Sequence, residues 1–188
     1  MTFTGRQRIA LQNVAEDLLD IITPAWREND HQVDTPKRYA KWWEEFLNPA
    51  ESNMTTFPVE HVDQMVVVSG IDTWSLCAHH LLPFSASVSI GYIADHEVLG
   101  LSKFARIAHQ AAARPTSQEQ LCADIADQIT KVTGNESVAV TASGLHLCMA
   151  MRGVKTPATM TTSVTRGSFR DHPETRAEWL TFVGRSRG

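Results

Sequence analysis

From Ser85 to Tyr92 the chain alternates without a break: Ala86, Val88, Ile90 and Tyr92 on one register, Ser85, Ser87, Ser89 and Gly91 on the other. Successive side chains of a strand point to opposite faces, so this run reads as a strand with one apolar face. The β-branched stretch from Val62 to Ile71 reads as a strand before it. Val138, Val140 and Ala142 alternate again, and the same register leads through His146, Cys148 and Ala150 toward Gly153. Thr159 to Val164 is the last β-prone stretch.

Helical periods fill much of the rest. Ile9, Val14, Leu18, Ile21 and Ile22 predict an amphipathic helix over 6–22. Asp34-Thr35-Pro36 opens a second helix, with proline at the first helical position and a body from Tyr39 to Leu47. Two further helices are expected over about 103–113 and 117–132, and Glu174 to Val183 reads as a short last one. Helix, helix, strand, strand, helix, helix, strand, strand is not a Rossmann alternation. It predicts an α+β fold with an antiparallel sheet, divided into an N-terminal helical segment (1–60) and a sheet-containing domain (61–188). The open sheet edges favour assembly with further copies.

Composition narrows the partners. A net charge of −4 gives no global basic field for nucleic acid or an anionic membrane, so a polyanionic substrate would need a local cluster of Lys and Arg. Three cysteines, Cys77, Cys122 and Cys148, cannot pair completely, which fits a reducing compartment and metal binding or free thiols. No signal-peptide core and no run of eighteen apolar residues is visible, so a cytoplasmic, membrane-free protein is expected.

Cys77-Ala78-His79-His80 places a thiolate and imidazoles within three residues, and His146-Leu147-Cys148 supplies another of each far downstream. Zinc accepts both ligand types and tolerates such separation. Read as a strand, residues 146 and 148 face the same way and reach one site. Each cysteine alone is as well explained as a core thiol, but each stands beside histidine. A closed structural site of two Cys and two His and a catalytic site with an open position both fit this spacing.

At the start of the third helix, Ser102 reads as the N-cap, with Lys103 and Arg106 in the first turn. Cations there oppose the helix dipole, a placement that makes sense if an anion binds, although solvated surface charges give the same pattern. Thr116 and Glu119 have the spacing of a capping box, and Cys122 on the same helix reads as a core thiol.

Five ordered segments together resemble GTP cyclohydrolase I: Asp34-Thr35-Pro36-Lys37-Arg38, Ser75 to Phe84, Gly100 to Lys103 with Arg106, Arg114 to Glu119, and His146 to Gly153. The matches cover roughly residues 34–183. The resemblance implies the tunnelling fold, in which two strand pairs flank two helices and protomers join in a ring, usually a decamer. It implies one zinc ion per subunit held by Cys77, His80 and Cys148, with a fourth position left to water. It implies His79 and His146 as the acid–base pair, with Ser102 nearby. Glu119 would anchor the guanine of GTP with support from Gln118, and Lys103, Arg106, Arg152 and Arg38 would hold the triphosphate. The implied reaction opens the guanine imidazole ring at C8, releases formate and yields 7,8-dihydroneopterin triphosphate.

Two positions depart from that pattern: Ala78 stands where the family usually has glutamate, and Gln120 where it has arginine. They leave room for a specialised homologue that acts on a different purine nucleotide or stops at a formylated, ring-opened intermediate. A non-catalytic zinc protein that binds a purine or pterin leaves His79, His146 and the cations without a task. A related reductase would need a nicotinamide cofactor, and no G-x-G-x-x-G fingerprint is present.

Overall fold

In the computed structural model, which describes residues 3–50 and 53–185, the chain forms two units, Met1–Ala50 and Glu51–Gly188. The first holds α1 (Gly5–Ile22) and α2 (Thr35–Leu47), joined through a 3₁₀ turn at Trp26–Glu28. Thr4 caps α1 in a reciprocal box with Gln7. Arg8 on α1 and Glu44 on α2 form a two-pronged ion pair, its closest contact 2.7 Å. Asp34 precedes α2 but makes no capping bond; it pairs instead with Lys37 and Arg38. The face of α1 that is buried is the one carrying Ala15 and Leu19. The expected core stripe, Ile9, Val14, Leu18, Ile21 and Ile22, lies 48% to 78% exposed.

The second unit runs β1 (Thr56–Pro58), β2 (Gln64–Cys77), β3 (Pro83–Ala94), β4 (Glu97–Leu99), α3 (Leu101–Ala112), β5 (Pro115–Thr116), α4 (Gln118–Thr133), β6 (Val138–His146), α5 (Leu147–Ala150), β7 (Thr159–Thr165), α6 (Ser168–Asp171) and α7 (Pro173–Arg185). The sheet order is β5-β2-β3-β6-β7, antiparallel except for the short parallel pairing of β5 with β2. Two antiparallel strand pairs with two helices between them are the tunnelling-fold arrangement. The alternation in β3 does what its pattern demands. Phe84, Ala86, Val88, Ile90 and Tyr92 are buried in one core with Phe104 and Ile107 of α3 and Leu121, Ile125 and Ile129 of α4. On the opposite face Trp179 of α7 lies where a side chain on Gly91 would be, 2.6 Å from an added Cβ, and packs with Phe169 and Ala139.

Further features differ from the sequence reading. The strand after Val138 ends at His146, and Leu147–Ala150 form a helical turn, so Cys148 does not continue the strand register. Helix α3 starts at Leu101 with Gly100 as its cap, which puts Ser102 and Lys103 inside the first turn and Arg106 in the second. Helix α4 is capped by Ser117, whose hydroxyl accepts from the Gln120 N–H at 3.1 Å, so no capping box joins Thr116 and Glu119. The small β1–β4 ribbon and β5 were not foreseen. Among the described residues no helix is long and apolar enough to cross a membrane.

Candidate active site

The β2–β3 hairpin closes through a five-residue loop, 78–82, whose backbone is tied at both ends. Cys77 N–H donates to Leu82 O (2.9 Å) and Leu81 N–H to Cys77 O (2.8 Å), with Leu81 in the left-handed region at φ 53°. Ala78 N–H donates to Thr116 O (3.1 Å), which fixes the loop against β5 and therefore against the start of α4. A loop this constrained holds its side chains in place.

Cys77, His80 and Cys148 converge here, with donor atoms all within 4.8 Å of one another. Cys77 Sγ lies 3.8 Å from His80 Nδ1. A tetrahedral zinc ion would place its sulfur and nitrogen ligands about 3.5–3.8 Å from one another, from bond lengths of roughly 2.3 and 2.0 Å. Two soft thiols and an imidazole are a donor set zinc favours, so the residues present fit the ion. Burial, and then the neighbouring Cys77 thiol, push the Cys148 thiol upward, because two close thiolates repel without a cation between them. Cys148 reaches the group from the helical turn, not from a strand as its spacing suggested.

His79 is exposed, and its Nδ1 lies 3.7 Å from Cys77 Sγ. Arg152 places Nη1 2.7 Å from His80 Nε2. A guanidinium only donates, so in this contact His80 Nε2 accepts and its Nδ1 carries the proton toward sulfur.

His146 ends β6 directly opposite Phe84 on β3, and the two rings stack with centroids 4.5 Å apart and planes 3° from parallel. Its Nε2 lies 3.1 Å from Gln118 Oε1. Burial lowers the His146 pKa and favours the neutral ring, while the nearby Glu119 carboxylate pulls the other way. Gln118 is 0% exposed, so it does not face outward to a purine; it stands behind His146. Glu119, one residue on, is exposed and makes no hydrogen bond or ion pair among the described residues. It projects from the first turn of α4, where the helix dipole favours a carboxylate. Gln120 donates to Asp124, and Cys122 is a buried thiol against Thr162.

Ser102, Lys103 and Arg106 are not brought to this corner. Leu99, just before α3, donates its N–H to the Tyr92 hydroxyl at 2.8 Å, and Tyr92 lies eight residues along β3 from Phe84, about 26 Å at the usual rise of a strand. The other end of α3 is the near one: Ser75 bonds Arg114 O, and His109 lies against Asp72 O. Ser102 therefore lies in the first turn of a helix about 18 Å long whose far end is the one nearer the loop. Neither Lys103 nor Arg106 makes an ion pair among the described residues. Arg38, in the first unit, pairs with Asp34 and donates to His31 O.

Phe84 and Gly144 are the residues that sequence reading missed. Phe84 was visible only as part of a motif, and its pairing with His146 depends on strand register. Gly144 sits where an added Cβ would fall 1.9 Å from Ser85 O and 3.0 Å from Gln118 Oε1.

Comparison with known proteins matches residues 11–184 to the family model of GTP cyclohydrolase I. A GTP cyclohydrolase 1 of Sulfurihydrogenibium sp. (strain YO3AOP1) is 47% identical over 152 residues, spanning 80% of this chain and 81% of that protein. A GTP cyclohydrolase 1 of Pseudomonas syringae pv. tomato is 44% identical over 172 residues, spanning 85% and 89% respectively. That of Pseudomonas putida is 40% identical over 188 residues and spans 96% of this chain and 97% of its own.

Proposed function

Because the chain belongs to the GTP cyclohydrolase I family of enzymes, we propose that it opens the imidazole ring of GTP at C8, releases formate and forms 7,8-dihydroneopterin triphosphate with zinc as its cofactor. The observation that carries this reading is the convergence of Cys77, His80 and Cys148 beside a stacked, half-buried His146. Cys77, His80 and Cys148 would hold a zinc ion, which when bound would supply a nucleophile near neutral pH by lowering the pKa of water from 15.7 to about 7.

The chain's own residues do the rest. Glu119 accepts hydrogen bonds from the N1–H and 2-amino edge of guanine, an edge that adenine lacks. His79, exposed beside the metal loop, delivers a proton toward N7 as the ring opens. His146, neutral in its buried setting, moves protons during rearrangement of the opened ribose. Arg152 leaves His80 to take a phosphate oxygen.

Ser102, Lys103 and Arg106 belong to the anion site in this reading, supplied by a neighbouring copy; their distance from the metal corner of their own protomer supports that arrangement. The exposed apolar stripe of α1 favours assembly as well. A homo-oligomeric ring, a decamer by family resemblance, is the state proposed, in the cytoplasm, where its three free thiols persist.

The test is incubation of zinc-loaded protein with GTP. Formate release together with a product that becomes fluorescent on oxidation is expected. Accumulation of a formylated intermediate would instead mark a partial reaction, in line with Ala78 and Gln120. Binding without turnover would refute the reading.

A further inference from the structure

His146 is restrained on its face and on one edge. Phe84 holds the plane of the ring, and Gln118 Oε1 meets Nε2 at 3.1 Å. The orientation of the Gln118 amide is dictated by its surroundings. Its Nε2 lies 3.1 Å from Ala142 O, 3.2 Å from Met160 O and 3.1 Å from Thr162 Oγ1. Backbone carbonyls only accept, so the NH2 end must face them and the oxygen must face His146. An amide oxygen also only accepts, so imidazole Nε2 must carry a proton. In the neutral ring Nδ1 is then the bare nitrogen, and it makes no hydrogen bond among the described residues. Gln118 is 0% exposed, so solvent does not replace the contact.

We propose that Gln118 is a positioning residue that holds His146 in the Nε2–H tautomer, so that Nδ1 is the ring nitrogen left free to meet the substrate. The proposal rests on the acid–base reading of His146. It gives the first turn of α4 two tasks: Glu119 faces the purine edge, and its neighbour Gln118 sets the histidine that works on the same substrate. Gly144 makes room for this arrangement, since a Cβ there would press on both Ser85 O and Gln118 Oε1. A residue that only tied α4 to β6 and β7 would need the amide nitrogen and not the oxygen.

The deciding measurement is the imidazole 15N spectrum of zinc-loaded, 15N-histidine-labelled protein, with His146→Gln subtracted to assign the signal. The expected difference signal shows a protonated Nε2 and an unprotonated Nδ1. The opposite tautomer in the wild type would overturn the proposal, whether or not any variant folds. Gln118→Met keeps the length and removes both amide ends. It should retain zinc, show mixed tautomers, and lose roughly 10- to 100-fold in kcat while KM stays within about threefold. Gln118→Glu, which keeps an acceptor toward Nε2 but turns a second oxygen on the Ala142 and Met160 carbonyls, should keep the Nε2–H tautomer while melting below the wild type. A folded Gln118→Met with wild-type kcat, or with the tautomer unchanged, refutes the positioning role. If His146→Ala itself keeps full kcat, the acid–base reading has failed instead, so the two failures are distinguishable.

Discussion

Replacing Gly144 by alanine tests the close approach on which the catalytic corner depends. The new Cβ would stand 1.9 Å from Ser85 O, and real Cβ atoms keep at least 3.0 Å from such neighbours. The obstacle is a backbone carbonyl in the β3–β6 ladder, opposite Gly144 through the pairing with Ala86, so no rotamer change relieves it. β3 and β6 must part locally by about 1 Å, in the range where overpacking costs about 1–3 kcal/mol. At about 2–4 °C per kcal/mol for a chain of this size, Tm should fall by roughly 2–12 °C. His146 lies two residues further along β6, and a displacement of about 1 Å at a reacting group costs on the order of 100-fold in rate. Gly184→Ala is the control, because an added Cβ there meets nothing within 4 Å. Thermal unfolding, zinc content and kcat are measured on both. A Gly144→Ala protein that melts with the wild type and turns over at its rate would show that the strands are not packed this closely.

Further expectations follow from other residues. Cys148→Ala should abolish stoichiometric zinc binding, measured by elemental analysis of reduced protein, while circular dichroism stays native; retained zinc would remove Cys148 from the ligand set. Arg152→Ala should bind zinc at least as tightly as wild type in a chelator competition, because its guanidinium and a zinc-bound His80 make opposite demands on the ring protons, while KM for GTP rises. Tyr92→Phe leaves the buried Leu99 N–H without its acceptor and should lower stability by about 1–3 kcal/mol in denaturant titration.

The sequence made the order of helices and strands readable because the period changes sharply at each boundary and β3 alternates without error. The convergence of Cys77, His80 and Cys148 was also within reach, since cysteines beside histidines carry their chemistry wherever the backbone takes them. What stayed hidden depended on choices that periodicity does not make. Leu147-Cys148-Met149-Ala150 fits a strand register and a helical turn equally well, and the helix-forming preferences of Leu, Met and Ala prevail once the pairing with β3 ends at Phe84 and His146. In α1 two overlapping stripes exist, and the narrower one, Ala15 and Leu19, is the buried one. The resemblance placed Gln118 as a support for the guanine, which requires it to face outward. The start of α4 is pressed against β6 and β7, and burial turns its amide inward.

The separation between Ser102 and the metal loop leads to the most demanding prediction. If one protomer gives the thiols and imidazoles while another gives Lys103 and Arg106, two inactive variants should rescue each other. Cys148→Ala lacks the metal half of its site and Lys103→Ala lacks the anion half, so each homogeneous ring is inactive or nearly so. In rings co-expressed from equal amounts, a site works when its metal half comes from the Lys103→Ala chain and its anion half from the Cys148→Ala chain. With random placement this holds for about one site in four, so roughly a quarter of wild-type activity per site should return. Sites built within single protomers would return none, because every chain carries one broken half. Co-expression that yields mixed rings by mass spectrometry and no activity would therefore refute the shared site, and the far end of β3 would need another explanation for its unpaired cations.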